Sequence, residues 1–105
     1  MHRRFGFSDK EWLQLQHILS LNHNIERGIL YGSRAKGNFK EFSDVDITLT
    51  GSQLSRHDLL RLRALFHESS LPYTFDLSIF PKLNNPQLID HIKRRGVVIY
   101  ERCER

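Results

Sequence analysis

The amino-acid sequence predicts a single α/β domain of the α+β type, with two layers, in which helices pack on a mixed β-sheet. Apolar segments with strand-like spacing alternate with amphipathic helical segments along the chain, which favours such a fold. The 105 residues suffice for one hydrophobic core. The sequence contains no internal repeat and no Pro-rich or Ser-rich linker. We therefore expect residues 1–105 to form one domain, while the order of its strands stays open.

The first helix is predicted from its N-terminal signals. Residues 8–11, SDKE, form a capping box, and Phe7 and Trp12 occupy the positions of a hydrophobic staple around it. We expect the helix to begin at about Asp9 and to end near Asn22.

Two strands and a short connection come next. The apolar run at residues 29–31, ILY, predicts the first strand, and residues 44–49, DVDITL, alternate polar and apolar side chains as a second strand does. Residues 32–37 lie between them and are bounded by glycines. This spacing predicts a short helix or a turn there.

The second half of the chain continues the alternation. Ser55 can cap a helix that ends before Pro72, and residues 75–80 form another apolar, strand-like run. Residues 85–86, Asn-Pro, place a capping residue before a proline at the first helical position. Residues 97–100 predict a final strand.

Three carboxylates fall on these predicted strands. Because successive side chains of a strand point to opposite faces, Asp44 and Asp46 would share one face. Two carboxylates held this close repel each other, and a bound divalent cation such as Mg²⁺ or Mn²⁺ would offset that repulsion. Asp76, near the start of a later strand, offers a third ligand. The alternatives are a solvated strand entrance for the first pair and a role as a strand-edge gatekeeper for Asp76.

The glycine-bounded connection has features of a phosphate-binding turn. At Gly32 the backbone can approach a phosphate closely, Ser33 can add a hydroxyl donor and Arg34 a guanidinium. A Walker A site is excluded, because Asn38 and Phe39 stand where such a site needs Lys and then Ser or Thr. The alternative is an ordinary tight connection.

Taken together, these motifs resemble the minimal nucleotidyltransferases of the DNA polymerase β-like superfamily. Gly32 and Ser33 are followed, after ten residues, by Asp-Val-Asp at 44–46 and by Asp76 on a later strand. The resemblance runs from about residue 10 to residue 100. It implies the nucleotidyltransferase fold, two Mg²⁺ ions, or Mn²⁺ in their place, and a nucleotide such as ATP whose triphosphate the Gly-Ser turn holds.

The ligands and partners also follow from this resemblance. Carried over by position, Asp44, Asp46 and Asp76 would bind the metal ions, and Gly32 and Ser33 would contact the phosphates. Small members of the family are commonly encoded beside an all-helical HEPN-domain protein. Some are antitoxins that transfer AMP to a tyrosine of a HEPN ribonuclease.

We therefore expect metal-dependent transfer of AMP from ATP to a hydroxyl, most directly a tyrosine of a HEPN toxin. Because larger relatives in the superfamily use additional domains to hold the base or the acceptor, the resemblance implies a shallow site in this single domain, which a partner or self-association would complete. Two alternatives remain: a binding module that neutralises a helical partner by occlusion, and a stand-alone enzyme that modifies a small-molecule hydroxyl.

Composition indicates which partners such a protein would favour and where in the cell it would act. The formal net charge of +4 favours phosphate-rich or acidic partners. Nucleic acid is the less favoured of these, because basic residues such as Arg61, Arg63 and 93–95 fall on helix faces and helix ends. No apolar segment approaches the roughly 20 residues that span a bilayer, and residues 1–12 lack the apolar core of a signal peptide. We expect a cytoplasmic protein.

Histidine and cysteine offer no zinc site. The six histidines show no paired zinc-binding spacing. Cys103 is the lone cysteine, which excludes an intramolecular disulfide and a cysteine-based zinc site.

Overall fold

A computed structural model describes residues 5–37, 40 and 43–102 of the chain. Within these residues the helices and strands are α1 (Asp9–Ser20), β1 (Arg27–Tyr31), α2 (Ser33–Lys36), β2 (Val45–Thr50), α3 (Arg56–Glu68), β3 (Phe75–Ile79), α4 (Pro86–Arg95) and β4 (Val97–Glu101). A 3₁₀ turn at Phe80–Lys82 follows β3. The predicted order of elements is confirmed, and Cys103 lies outside the described residues.

The strands form one mixed sheet in the order β3-β2-β1-β4. β1 runs antiparallel to both β2 and β4, whereas β2 and β3 are parallel. A parallel pair needs a crossover connection, which α3 supplies between β2 and β3. The predicted mixed sheet packed with helices is therefore confirmed, and the strand order that the sequence left open is now given.

The two faces of β2 have different chemical characters. Val45, Ile47 and Leu49 are buried in the hydrophobic core, whereas Asp46 and Thr48 point to the opposite face. The core face is covered by apolar residues of α1 and α3, namely Leu15, Ile18, Leu19, Leu62 and Phe66. The polar side chains of β2 thus lie on the face of the sheet opposite the hydrophobic core.

The N-terminal signals of α1 are confirmed, but its C-terminal end differs from the prediction. The Ser8 hydroxyl accepts from the backbone N–H of Glu11 at 3.1 Å, and the Glu11 carboxylate accepts from the N–H of Ser8 at 2.9 Å. The helix ends at Ser20, two residues before Asn22. The side chain of Asn22 accepts from the N–H of Asn24 at 2.8 Å, and this turn competes with continued helix.

The start of α3 is tied to the turn after α1 through Asp58. Its carboxylate accepts from the N–H of Ser55 at 3.0 Å and from the side-chain amides of Asn22 and Asn24 at 3.1 and 3.2 Å. These hydrogen bonds, that of Asn22 first, lower the pKa of Asp58. The ionised carboxylate therefore stabilises the folded chain.

Asp58→Ala should lower the free energy of unfolding at pH 7 by about 1 kcal/mol, after allowance for solvent screening. Because the folded-state pKa is depressed, this stabilisation is fully present above the unfolded-state value of about 3.9 and is lost as pH falls through the folded-state pKa. Urea unfolding at pH 7 and at pH 3 measures the difference in the free energy of unfolding between variant and wild type. A difference of equal size at both pH values would contradict the electrostatic explanation.

The start of α4 follows its prediction. The Asn85 side chain accepts from the N–H groups of Gln87 and Leu88, and Pro86 takes the first helical position. Across the described part of the chain, no helix is long and apolar enough to cross a membrane.

Candidate active site

Three side chains with ionisable groups lie side by side on the polar face of the sheet. Tyr31 of β1 is the register partner of Asp46 on β2, and Asp46 is the register partner of Asp76 on β3. Register partners on adjacent strands have backbones about 4.5–5.5 Å apart. Asp44 immediately precedes β2 and is exposed. The fold therefore brings Asp46 and Asp76 together, although Asp76 lies 30 residues after Asp46 in the sequence.

The carboxylates create a region of strong negative potential. The pKa of Asp46 is raised, first by burial and then by the charges of Asp76 and Asp44. The pKa of the Tyr31 phenol is also raised by burial, and the charges of Asp46 and Asp76 add to this, while a hydrogen bond with Ser78 opposes it. A cation bound here would relieve repulsion that the folded chain otherwise retains.

The donor set fits a hard divalent cation that arrives with a nucleotide. Among the described residues, no three Asp, Glu, His or Cys side chains are already gathered as a metal-binding cluster. Mg²⁺ usually keeps several waters and takes only one or two protein carboxylates, with phosphate oxygens completing its octahedron. The paired carboxylates of Asp46 and Asp76 match that requirement.

Gly32 brings the backbone of the Gly-Ser turn against Asp46. Its φ of 82° and ψ of −154° belong to a region that side chains rarely adopt, and a Cβ placed there would lie 2.4 Å from Oδ2 of Asp46. Ser33 follows as the first residue of α2. The predicted turn therefore lies in direct contact with the carboxylate region.

Gly32→Ala should lower the free energy of unfolding by about 2 kcal/mol, because it combines backbone strain with a clash against Asp46. Gly37→Ala is the matched control. Gly37 also has a positive φ, of 87°, but a Cβ there would meet nothing within 4 Å. Urea unfolding of both variants measures the two effects, and equal losses would show that the clash contributes nothing.

Arg34 lies in the interior rather than beside the Gly-Ser turn. Its side chain is 1% exposed. The guanidinium donates to the carbonyl of Ser43 at 2.9 and 3.2 Å and to that of Phe5 at 2.9 Å. Its central carbon lies 4.6 and 5.1 Å from the ring centroids of Tyr73 and Phe7.

This placement differs from the expected phosphate contact. Because the Arg34 guanidinium faces the aromatic rings and two backbone carbonyls, it holds the N-terminal segment and the residue before Asp44 against α2. Burial lowers the pKa of Arg34. We therefore do not include Arg34 among the phosphate contacts, and we assign it to positioning the loop that leads to Asp44.

Sequence reasoning missed Tyr31 as part of this region. In the sequence it stands within an apolar run, yet its ring makes an edge contact with the ring of His91 on α4, at a centroid distance of 6.5 Å. The alternation of a strand could have placed it, because Tyr31 directly precedes Gly32 and ends β1 beside Asp46.

Known proteins share this arrangement of elements. The chain matches the family described as "Polymerase beta, Nucleotidyltransferase" over residues 13–105. A toxin–antitoxin complex with AMP-PNP contains a chain that is 19% identical, with a TM-score of 0.70, over 87% of this chain and 73% of that one. A mutant of the toxin–antitoxin complex MntA–HpeT contains a chain that is 16% identical, with a TM-score of 0.67 and the same two coverages of 87% and 73%.

A candidate nucleotidyltransferase from Sulfolobus solfataricus is 18% identical, with a TM-score of 0.52, over 87% of this chain and 77% of that one. No curated protein sequence matches the chain significantly. At these identities the solved structures show a shared fold, and the fold predicted from the sequence is thereby confirmed.

Proposed function

We propose that this chain, which belongs to the polymerase beta nucleotidyltransferase family, transfers AMP from ATP to a hydroxyl group in a metal-dependent reaction. One observation carries the proposal. The register pairing of Asp46 with Asp76 places two carboxylates beside a glycine turn that Asp46 itself touches. Metal ligands and phosphate donors in these positions would lie within reach of one triphosphate.

Each residue has a separate role in this reaction. Asp44, Asp46 and Asp76 would hold two divalent cations, with Asp46 between the other two, because it pairs with Asp76 across the strands and lies two residues after Asp44. Cations bound there would offset the charge of the triphosphate and lower the pKa of the acceptor hydroxyl. Gly32 and Ser33 would donate backbone and hydroxyl hydrogen bonds to the phosphate oxygens.

The transfer step is an in-line displacement at the α-phosphorus. The acceptor oxygen bonds to that phosphorus while the bond from phosphorus to the oxygen leading to the β-phosphate breaks, and pyrophosphate leaves. Asp76 is exposed and takes the proton of the acceptor hydroxyl. Because Asp76 lies on β3, the acceptor hydroxyl would lie next to that strand.

The acceptor that we propose is a tyrosine of an all-helical HEPN-domain toxin. Two structural neighbours come from toxin–antitoxin complexes, and one of these contains AMP-PNP, which supports both a protein partner and an adenine nucleotide. The partner would complete a site that a single small domain leaves shallow, and it would be met, together with ATP, in the cytoplasm.

Transfer of label from α-labelled ATP with Mg²⁺ tests this function. The acceptors offered are the proteins that co-purify with the chain from its native host, and Asp44→Asn/Asp46→Asn is the comparison variant. Labelling of one helical protein by wild type alone would support the proposal, and a γ-labelled control would exclude kinase activity. No labelling of a partner that stays bound would contradict it.

One observation favours a second candidate function, neutralisation of the partner by occlusion alone. Two structural neighbours come from toxin–antitoxin complexes, and binding within such a complex does not by itself require nucleotidyl transfer. Occlusion needs no ATP and adds no mass to the partner. Mass spectrometry of the neutralised partner therefore separates the two candidates.

A further inference from the structure

A groove lies between α3 and the outer edge of β3, away from the Gly-Ser turn. Leu60, Leu77 and Leu83 are among the apolar residues that line it. Leu60 is 50% exposed and contributes apolar surface to this groove. The described residues therefore leave apolar surface exposed in this groove.

The groove also carries uncompensated positive charge. Arg56, Arg63 and Lys82 line it and are exposed, and no Asp or Glu is among its lining residues. The ion pairs seen within the described residues join Arg27 to Glu101 and Arg94 to Asp90, so none of the three cations is neutralised there. An apolar floor with a basic rim complements an amphipathic segment that bears acidic side chains.

The geometry of the β3 edge favours docking through side chains over addition of a strand. Within the described part of the chain, β3 pairs only with β2 and forms one edge of the sheet. The guanidinium of Arg63 reaches across from α3 and donates a long hydrogen bond, 3.5 Å, to the carbonyl of Leu77. Because that carbonyl is covered, a strand could not pair along this part of the edge.

The groove follows the edge strand that carries Asp76. Leu77 and Ile79 of this strand belong to the core face, on which α3 packs, whereas the side chains of Asp76 and Ser78 point to the opposite face. Residues two apart in a strand are separated by about 7 Å. A segment docked in the groove would thus lie along the same edge strand as Asp76 and would reach its carboxylate around that edge.

We propose that this groove docks an acidic amphipathic segment of the protein that carries the acceptor hydroxyl, an inference that rests on the proposed function. Leu60 and Leu83 receive its apolar side chains, while the three cations pair with its carboxylates. Nucleic acid fits the groove less well, because its lining has no aromatic ring on which a base could stack. A second copy facing the groove through a two-fold axis would set cations against cations.

Binding of a synthetic probe peptide tests the groove independently of catalysis. The probe is an amphipathic helical peptide with leucines at i, i+4 and i+7 and glutamates on the flanking faces. The full chain carries Asp46→Asn to prevent transfer. We expect the NMR signals of Leu60, Leu77 and Leu83 to shift on binding, and we expect the same peptide with lysine in place of glutamate to bind at least tenfold more weakly.

Substitutions locate the binding. Leu60→Asp and Arg63→Glu should each weaken the peptide at least tenfold. Arg61→Glu is the matched control, because Arg61 is exposed on α3 but lines a different concavity together with Asn22 and Asp58. Circular dichroism and thermal unfolding show that each variant is folded. Equal weakening by Arg61→Glu, equal affinity for the lysine peptide, or tighter binding of a single-stranded oligonucleotide at the same residues would overturn the proposal.

Kinetics with the labelled acceptor protein separate this proposal from the proposed function. Arg63→Glu should raise KM for the acceptor protein at least tenfold, with kcat and KM for ATP unchanged. Peptide binding without any label transfer by wild type would contradict the function alone. Label transfer by Arg63→Glu with an unchanged KM for the acceptor would contradict the docking proposal alone.

Discussion

Asp46→Asn is expected to abolish nucleotidyl transfer while the folded chain stays as stable as wild type or becomes more stable. The carboxylate lies beside Asp76 and near Asp44, and burial together with their charges raises its pKa. Asparagine keeps the shape and removes the charge, so the repulsion falls but the proposed metal ligand is lost. Loss of the charge stabilisation supplied by a bound cation corresponds to a decrease in rate of about 10³-fold or more.

The experiment pairs a transfer assay with thermal unfolding at pH 7. Asp90→Asn is a suitable control, because Asp90 is an exposed carboxylate on α4 that pairs with Arg94 outside the carboxylate region. It should leave the rate of transfer unchanged. Asp44→Asn should behave as Asp46→Asn does. An Asp46→Asn protein that is folded and transfers label at the wild-type rate would refute the assignment of the metal ligands.

Arg34→Ala is expected to destabilise the fold more than any other substitution considered, by about 3 kcal/mol. The variant removes the donor to the carbonyls of Phe5 and Ser43 and leaves a cavity between the rings of Phe7 and Tyr73. Such a loss is a large fraction of the roughly 5–15 kcal/mol by which natural domains are stable.

Urea unfolding measures this loss, and two further variants sharpen it. Arg34→Lys keeps the charge but lacks the planar fork that reaches two carbonyls, so its loss should be smaller than that of Arg34→Ala. Arg61→Ala removes an exposed arginine of α3 and should change stability by about 0.5 kcal/mol or less. If Arg34→Ala were no more destabilising than Arg61→Ala, the interior role of Arg34 would be wrong.

The elements that the sequence predicted well are those with local chemical signals. Ser8 and Ser55 begin helices with capping boxes, and Asn85 does so with a following proline, because each cap acts on backbone groups within three residues. The end of α1 was less accurate, since the side chain of Asn22 stops the helix by bonding to Asn24. Boundaries of this kind depend on side-chain hydrogen bonds that compete with the helix.

The arrangement of the candidate site was only partly predictable. The motif supplied Asp46, Asp76 and Gly32, but the pairing of β2 with β3 that joins the two carboxylates depends on contacts distant in sequence. Arg34 was misplaced for the same reason. Its neighbours Phe7 and Tyr73 are far from it and from each other in the sequence, and no pattern near Arg34 indicates that they would surround it.

The parallel pairing of β2 with β3 also determines when the protein can acquire activity during its synthesis. Asp46 meets Asp76 only after α3 has been made and folded back across the sheet, so a nascent chain that ends before β3 has half of the carboxylate pair. Closing so long a connection is slow compared with forming a hairpin. If the proposed function holds, nucleotide and metal that bind the completed pair would stabilise only the finished fold, and a partially synthesised chain would neither retain ATP nor label a partner.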